Sequence, residues 1–179
     1  MRKHILSLVS VGLILGWAGM APAEAKPKAK PKPEVKAEVE WKEWKNDKFG
    51  IKMTVPKNMA LAGKEYDGGW GGLYGKLGVV EMFVIGKLDA THTLEEMQTF
   101  CIVVSGVKAK FWKKIDEGEK KNGWKWHKTY EANGPARALF AILAQSEKGS
   151  FIIFLRTTHA NFLKHIKSYE TWYKSIKAY

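Results

Sequence analysis

Cysteine is almost absent: the 179-residue chain has one, Cys101. A single thiol excludes an intramolecular disulfide framework and any cysteine-rich zinc site. Arginine is nearly as scarce. Beyond residue 25, Arg137 and Arg156 are the only arginines among 28 basic residues. Base readout and bidentate phosphate recognition favour the guanidinium fork, whereas lysine acts as a point charge, so no nucleic-acid partner is expected. Nucleotide and metal motifs are missing too. Gly75-Lys76 is preceded by Trp70 where a P-loop needs glycine, and followed by Leu77 where it needs Ser or Thr. No G-x-G-x-x-G, H-E-x-x-H or H-x-H occurs. No cofactor is therefore expected.

The first 25 residues join a basic start (Arg2, Lys3) to an apolar run from Ile5 to Met20 and then to small residues at Ala21, Ala23 and Ala25. That order predicts a secretory signal peptide cleaved after Ala23 or Ala25. Ser7, Ser10, Gly12, Gly16 and Gly19 interrupt the run, so no membrane span is expected to remain after cleavage. Residues 26–40, KPKAKPKPEVKAEVE, alternate lysine with proline, which blocks helix and sheet pairing and predicts an extended linker. Of the net +12, the signal carries +1, the linker +2 and residues 41–179 the remaining +9. The excess charge is thus a property of one domain, 41–179, secreted or periplasmic. Lysine-rich surface with tryptophans suits an anionic envelope component or a partner protein.

Within that domain, Ile51, Met53 and Val55 alternate with polar residues and stop at Pro56, which predicts a half-buried strand. Residues 68–78, GGWGGLYGKLG, hold six glycines and predict a flexible loop or tight hairpin opening a strand over 79–88. Thr93 and Glu96 form a capping-box pattern ahead of a helix from about 94 to 105, with Leu94, Met97, Cys101 and Val104 on its apolar face and Gly106 ending it. A charged, lysine-rich loop is expected over 108–128. Trp124, Trp126, Lys128 and Tyr130 then alternate onto one side of a strand, and Asn133-Gly134-Pro135 is a turn signal.

Segments 136–144 and 151–157 are apolar on both parities, which predicts a hairpin, looped at 145–149, with both faces covered. Phe162, Ile166, Tyr169, Trp172, Tyr173 and Ile176 mark a helix over 159–178 that covers one face, and helix 94–105 covers the other. The expected class is α+β, a three-layer α/β/α sandwich around a mainly antiparallel sheet.

Folding the hairpin sets Arg137 opposite about 157, so Arg137, Arg156 and His159 line one end of the sheet, with Glu131 near. These form either an anion site or a structural ion pair with a neighbouring acid, and a one-residue register change would separate the arginines onto opposite faces. The glycine segment contributes Trp70, Tyr74 and Lys76 as further ligand-binding candidates, and Trp41 and Trp44 stand beside them. His127, His159 and the surface carboxylates are the residues a hydrolase or metal-binding envelope enzyme would have to use. His92 and His159 precede helices, where polar residues cap. Cys101 is expected to be a buried thiol.

The opening strand Phe49-Gly-Ile-x-Met-x-Val-Pro56, the apolar hairpin 136–157 and the closing helix ending Trp172-Tyr-Lys-Ser-Ile-Lys177 resemble the PsbP-like family. That fold is shared by photosystem oxygen-evolving subunits, a Ran-binding nucleotide-release factor and many exported bacterial proteins. The resemblance spans most of residues 44–179 and carries no catalytic residues. It implies a non-enzymatic binding or assembly role, acting as a monomer or weak oligomer.

Overall fold

Residues 137–158 form the middle of a sheet because neither parity of their side chains tolerates water. The computed structural model describes residues 40–179, so the expected signal peptide and all of the linker except Glu40 lie outside the described residues. In chain order the strands are β1 (Trp41–Asn46), β2 (Ile51–Pro56), β3 (Leu61–Tyr66), β4 (Trp70–Leu77) and β5 (Val80–Leu88). After α1 (Leu94–Ser105) come β6 (Trp112–Lys121), β7 (Trp124–Asn133), β8 (Arg137–Ser146) and β9 (Gly149–Thr158). Helix α2 (His159–Ser175) and the short β10 (Lys177–Ala178) close the chain.

Seven strands make one antiparallel sheet in the order β3-β4-β5-β9-β8-β7-β6, and β1, β2 and β10 make a second, small sheet with β2 in its middle. Side chains leave the large sheet alternately to two cores. Met82, Val84, Phe140, Ile142, Phe151, Ile153 and Leu155 pack with Phe162, Tyr169 and Trp172 of α2 and with Ile51, Met53 and Val55 of β2. Their neighbours Phe83, Ile85, Leu139, Leu143, Ile152 and Phe154 pack with Met97 and Cys101 of α1. Each such side chain contributes roughly 1.5–3 kcal/mol on burial, so both covers are held by many small contacts rather than by one. The class is α+β, a mostly antiparallel sheet with two helices.

Helix α1 begins as its sequence predicts. Thr93 Oγ1 accepts from the Glu96 backbone N–H, and the Glu96 carboxylate accepts from the Thr93 N–H. Gly106 ends it in the left-handed region, at φ 69°, a conformation that a Cβ penalises. The cap of α2 is Thr158, whose hydroxyl accepts from the Asn161 N–H. Threonines therefore cap both helices, not His92 and His159.

Several expectations need correction. Of the two readings of the glycine segment the tight hairpin holds and the flexible loop does not: residues 70–77 are strand β4, turning at Gly78-Val79 into β5. Gly72 and Gly75 permit this by close packing: a Cβ on Gly75 would lie 2.6 Å from Leu61 Cδ2 and 2.8 Å from the Ala60 carbonyl oxygen. The segment 108–128 is not a loop either. It holds β6 and the start of β7, joined at Asn122-Gly123, both with positive φ. The 145–149 loop shrinks to a two-residue turn, Glu147-Lys148, because β8 and β9 pair out to Ser146 and Gly149. Trp124 does not share a side with Trp126 and Tyr130: it packs against Phe151 in the α2-side core, while they border the α1-side core. Helix α2 stops at Ser175, short of 178, because the chain leaves it to pair with β2.

Replacing Gly75 with alanine is expected to lower stability by about 1–3 kcal/mol through that backbone contact. Gly71→Ala, whose Cβ would meet nothing within 4 Å, should leave the urea midpoint unchanged or raise it. Equal losses in the two variants would show that the Ala60 contact is not the cause.

Candidate functional site

The register of the central strands decides what each arginine does. Arg137 stands opposite Thr158 and Leu139 opposite Arg156, so both guanidinium side chains leave the same face of the sheet, the face covered by α1. On the next strand Arg156 stands directly opposite Glu81.

Arg156 is consumed by internal contacts. Its Nε donates to Glu81 Oε2 at 2.8 Å, its Nη2 lies 2.7 Å from the same oxygen, and its Nη1 donates to the carbonyls of Ser105 (2.9 Å) and Val104 (3.2 Å) at the end of α1. The guanidinium carbon sits 5.0 Å from the centre of the Phe83 ring. The other Glu81 oxygen accepts from the Tyr74 hydroxyl at 3.0 Å. Burial alone would raise the Glu81 carboxyl, but hydrogen bonds from Arg156 and Tyr74 and the charges of Arg156 and Lys76 outweigh it and hold it below its usual value. The Tyr74 hydroxyl moves the opposite way, raised by burial and then by its bond to Glu81. Beside this group the Tyr66 hydroxyl is buried without a hydrogen-bond partner, and burial pushes it up to about 12. Lys64 Nζ lies 5.1 Å and 5.3 Å from the ring centres of Tyr66 and Tyr74.

Arg137 is the opposite case. It is exposed and has no ion-pair partner among the described residues. Its Nη1 lies close to Gly106, at the point where α1 ends, and its carbonyl accepts from the Gly134 N–H at 2.9 Å, which folds the Asn133-Gly134-Pro135 turn against it. Between these two chain reversals is a half-open hollow of about 340 Å³. Lys108, Lys110 and Arg137 stand at it as cations, and Val107, Phe111 and Pro135 supply apolar surface. Glu131, expected nearby, lies on the other face, where its charge reaches Tyr173 of α2. The acid that matters to the arginines is Glu81.

The remaining candidates scatter. Trp70 is 6% exposed and packs between Phe100 (ring centres 5.2 Å apart) and His92 (4.9 Å), so it belongs to the core beneath α1. Tyr74 serves Glu81, and Lys76 is exposed near the β4–β5 turn. His159 Nδ1 is 2.6 Å from Asn133 Oδ1, at the same end of the sheet as Arg137 but outside the hollow. Trp41 and Trp44 are partly buried on β1. His127 is buried with Nε2 3.7 Å from Asp116 Oδ2 and no partner at Nδ1, and among the described residues no three His, Cys, Asp or Glu side chains converge to hold a metal. Cys101 is fully buried in apolar surroundings, which push its thiol up and leave it inert. Sequence reasoning missed Lys108, Lys110, Phe111 and Pro135 as one group. The available signal was two chain reversals, Gly106 and Asn133-Gly134-Pro135, each next to basic residues.

Arg156→Met should destabilise the domain by about 1–3 kcal/mol, because it strands a half-buried carboxylate and two helix-end carbonyls. Since the Glu81 carboxyl is held below its unfolded value, its contribution is complete above the usual carboxylate range and is lost as pH falls through the folded value. Urea midpoints of the wild type should therefore drop on acidification more steeply than those of Glu81→Gln, and parallel curves would contradict the assignment.

Compared by sequence, the chain matches no described protein family and no curated protein. Compared by structure, it is similar to cyanobacterial PsbP (CyanoP) from Synechocystis sp. PCC 6803, solved in solution, with a TM-score of 0.51. The match covers 83% of this chain and 98% of that one at 13% identity, a level at which backbone arrangement is shared and side-chain chemistry is not. The chain has a PsbP-like fold.

Proposed function

We propose that this protein is an exported, non-catalytic accessory domain that docks on an anionic component of the cell envelope through the Arg137 end of its sheet. The observation that carries the reading is the division of labour between its two arginines. Arg156 has its Nε, Nη1 and Nη2 all engaged internally, whereas Arg137, equally well placed by the same hairpin, has no acid facing it among the described residues and stands beside two lysines. An arginine retained as a structural tie and another left open to solvent beside apolar surface are different uses of one side chain.

The architecture suits such a role. Two cores separated by one sheet support the reading of a three-layer α/β/α sandwich, a rigid block whose ends carry the turns. The likeness to CyanoP supports an accessory rather than catalytic domain. The secreted or periplasmic location rests on the signal pattern of residues 1–25, and among the described residues no helix is long and apolar enough to cross a membrane.

Arg137→Glu, an exposed substitution that should leave thermal unfolding unchanged, is expected to weaken cosedimentation of the protein with isolated cell-envelope fractions by about tenfold at low salt, with the difference shrinking as salt rises. Undiminished cosedimentation of the variant would remove Arg137 from the docking surface.

A further inference from the structure

We infer that the Arg137 end of the domain is a membrane-docking surface, which seats the β4–β5 turn and the neighbouring cations in the headgroup region of an anionic lipid bilayer. This rests on the reading above and names the envelope component. It starts from where the exposed large apolar residues fall. Leu77 (39% exposed) and Val79 (52%) flank Gly78 at the tip of the β4–β5 turn, Val103 (75%) is in the last turn of α1, and Leu163 (54%) is at the start of α2. Among the described residues, four of the five exposed large apolar side chains therefore lie towards one end of the domain, the fifth being Tyr179.

The registers show that these positions share that end. Leu77 pairs with Val80, the next residue Glu81 pairs with Arg156, Arg156 pairs with Leu139, and two residues further out Arg137 pairs with Thr158, the cap of α2. Arg156 holds the last carbonyls of α1 at this same end. The tip of the turn, the end of α1, the start of α2 and the Arg137 hollow thus surround the ends of β5, β9 and β8.

Charge at this end is one-sided. Lys108, Lys110 and Arg137 have no ion-pair partner among the described residues; Glu81, held by Arg156, also faces Lys76 across the β4–β5 pair, and Glu131 is on the opposite face beside Lys113. Apolar tips ringed by lysine match a bilayer surface: short side chains reach the boundary between headgroups and acyl chains while ammonium groups stay with lipid phosphates. An acidic protein partner would match the cations but would leave Leu77 and Val79, which stand outside the hollow, without a role. The Gly78 turn has nothing within 4 Å of its Cβ position, so the tip is free to enter a soft surface.

The test is cosedimentation of the mature chain, residues 26–179, with phosphatidylcholine vesicles, with and without phosphatidylglycerol. The wild type should bind only when phosphatidylglycerol is present. Leu77→Ser/Val79→Ser should lower that binding by about tenfold or more, from lost apolar burial, with unchanged thermal unfolding. Lys108→Gln/Lys110→Gln should also lower it by about tenfold or more, with the loss fading at high salt. Lys52→Gln, on the small sheet, serves as control and should have no effect. Envelope cosedimentation that depends on Arg137 without any binding to phosphatidylglycerol vesicles would overturn the membrane inference and leave the docking reading standing. Loss of both would sink the two together. Vesicle binding indifferent to Leu77 and Val79 would assign it to lysines elsewhere, such as those of residues 26–40, and would also overturn the inference.

Discussion

Strands β5, β9 and β8 have no side that water can touch, and the rest of the domain follows from that constraint. A strand apolar on one parity needs one cover, and these need two. The chain supplies them from different places: α1 from between β5 and β6, and α2 with β2 from the two ends of the described region. Every connection is therefore obliged to turn at the top or bottom edge of the sheet, and the turns collect whatever chemistry the layers exclude. Arg137, Lys108, Lys110 and Lys76 stand at one edge because they are the polar remainder of segments whose interiors are committed to packing.

Much of this was legible in the sequence wherever a pattern was local. The capping box at Thr93, the Gly106 stop, the apolar hairpin and the aromatic stripe of α2 each depend on residues within one or two turns of one another, and each forms as expected. Strands β3 and β6, and the full extent of β4 beyond its hairpin turn, were not legible because their reasons are remote. Glycine marks loops when it supplies backbone freedom, but Gly72 and Gly75 supply space for a neighbouring strand, and nothing near them in the chain says so. β6 looks like a solvated loop because it is an edge strand with few buried contacts, its lysines and acids facing water on a single pairing partner. The Asn122-Gly123 step, whose two residues both take positive φ, was the one local sign that 112–133 is a hairpin.

The candidate site shows the same division. That Arg137 and Arg156 approach each other follows from folding 137–158 at its turn. That they do different work follows from the pairing of β5 with β9, which joins residues 75 positions apart and has no local signature. Glu131, near in sequence to the turn before β8, looked the natural partner, and alternation along β7 sends it through the sheet to the other side. Trp70 is a related case: tryptophan among glycines suggests a surface platform, yet the indole packs beneath α1 between Phe100 and His92, residues 22 to 30 positions away.

The ion pair between Arg156 and Glu81 also bears on how the chain avoids misfolding. Hydrophobic alternation ordinarily tells a strand its register, since a slip of one residue exposes apolar side chains. Strands β5 and β9 lack that information because they are apolar on both parities, and a slipped pairing would bury nearly as much. What a slip cannot hide is charge. Shifted by one residue, Arg156 leaves the face on which Glu81 remains; shifted by two, it meets apolar side chains; in either case the buried guanidinium loses its carboxylate. The pair thus acts as a proofreading element, contributing less through the attraction of its two charges than through the penalty it imposes on every alternative alignment.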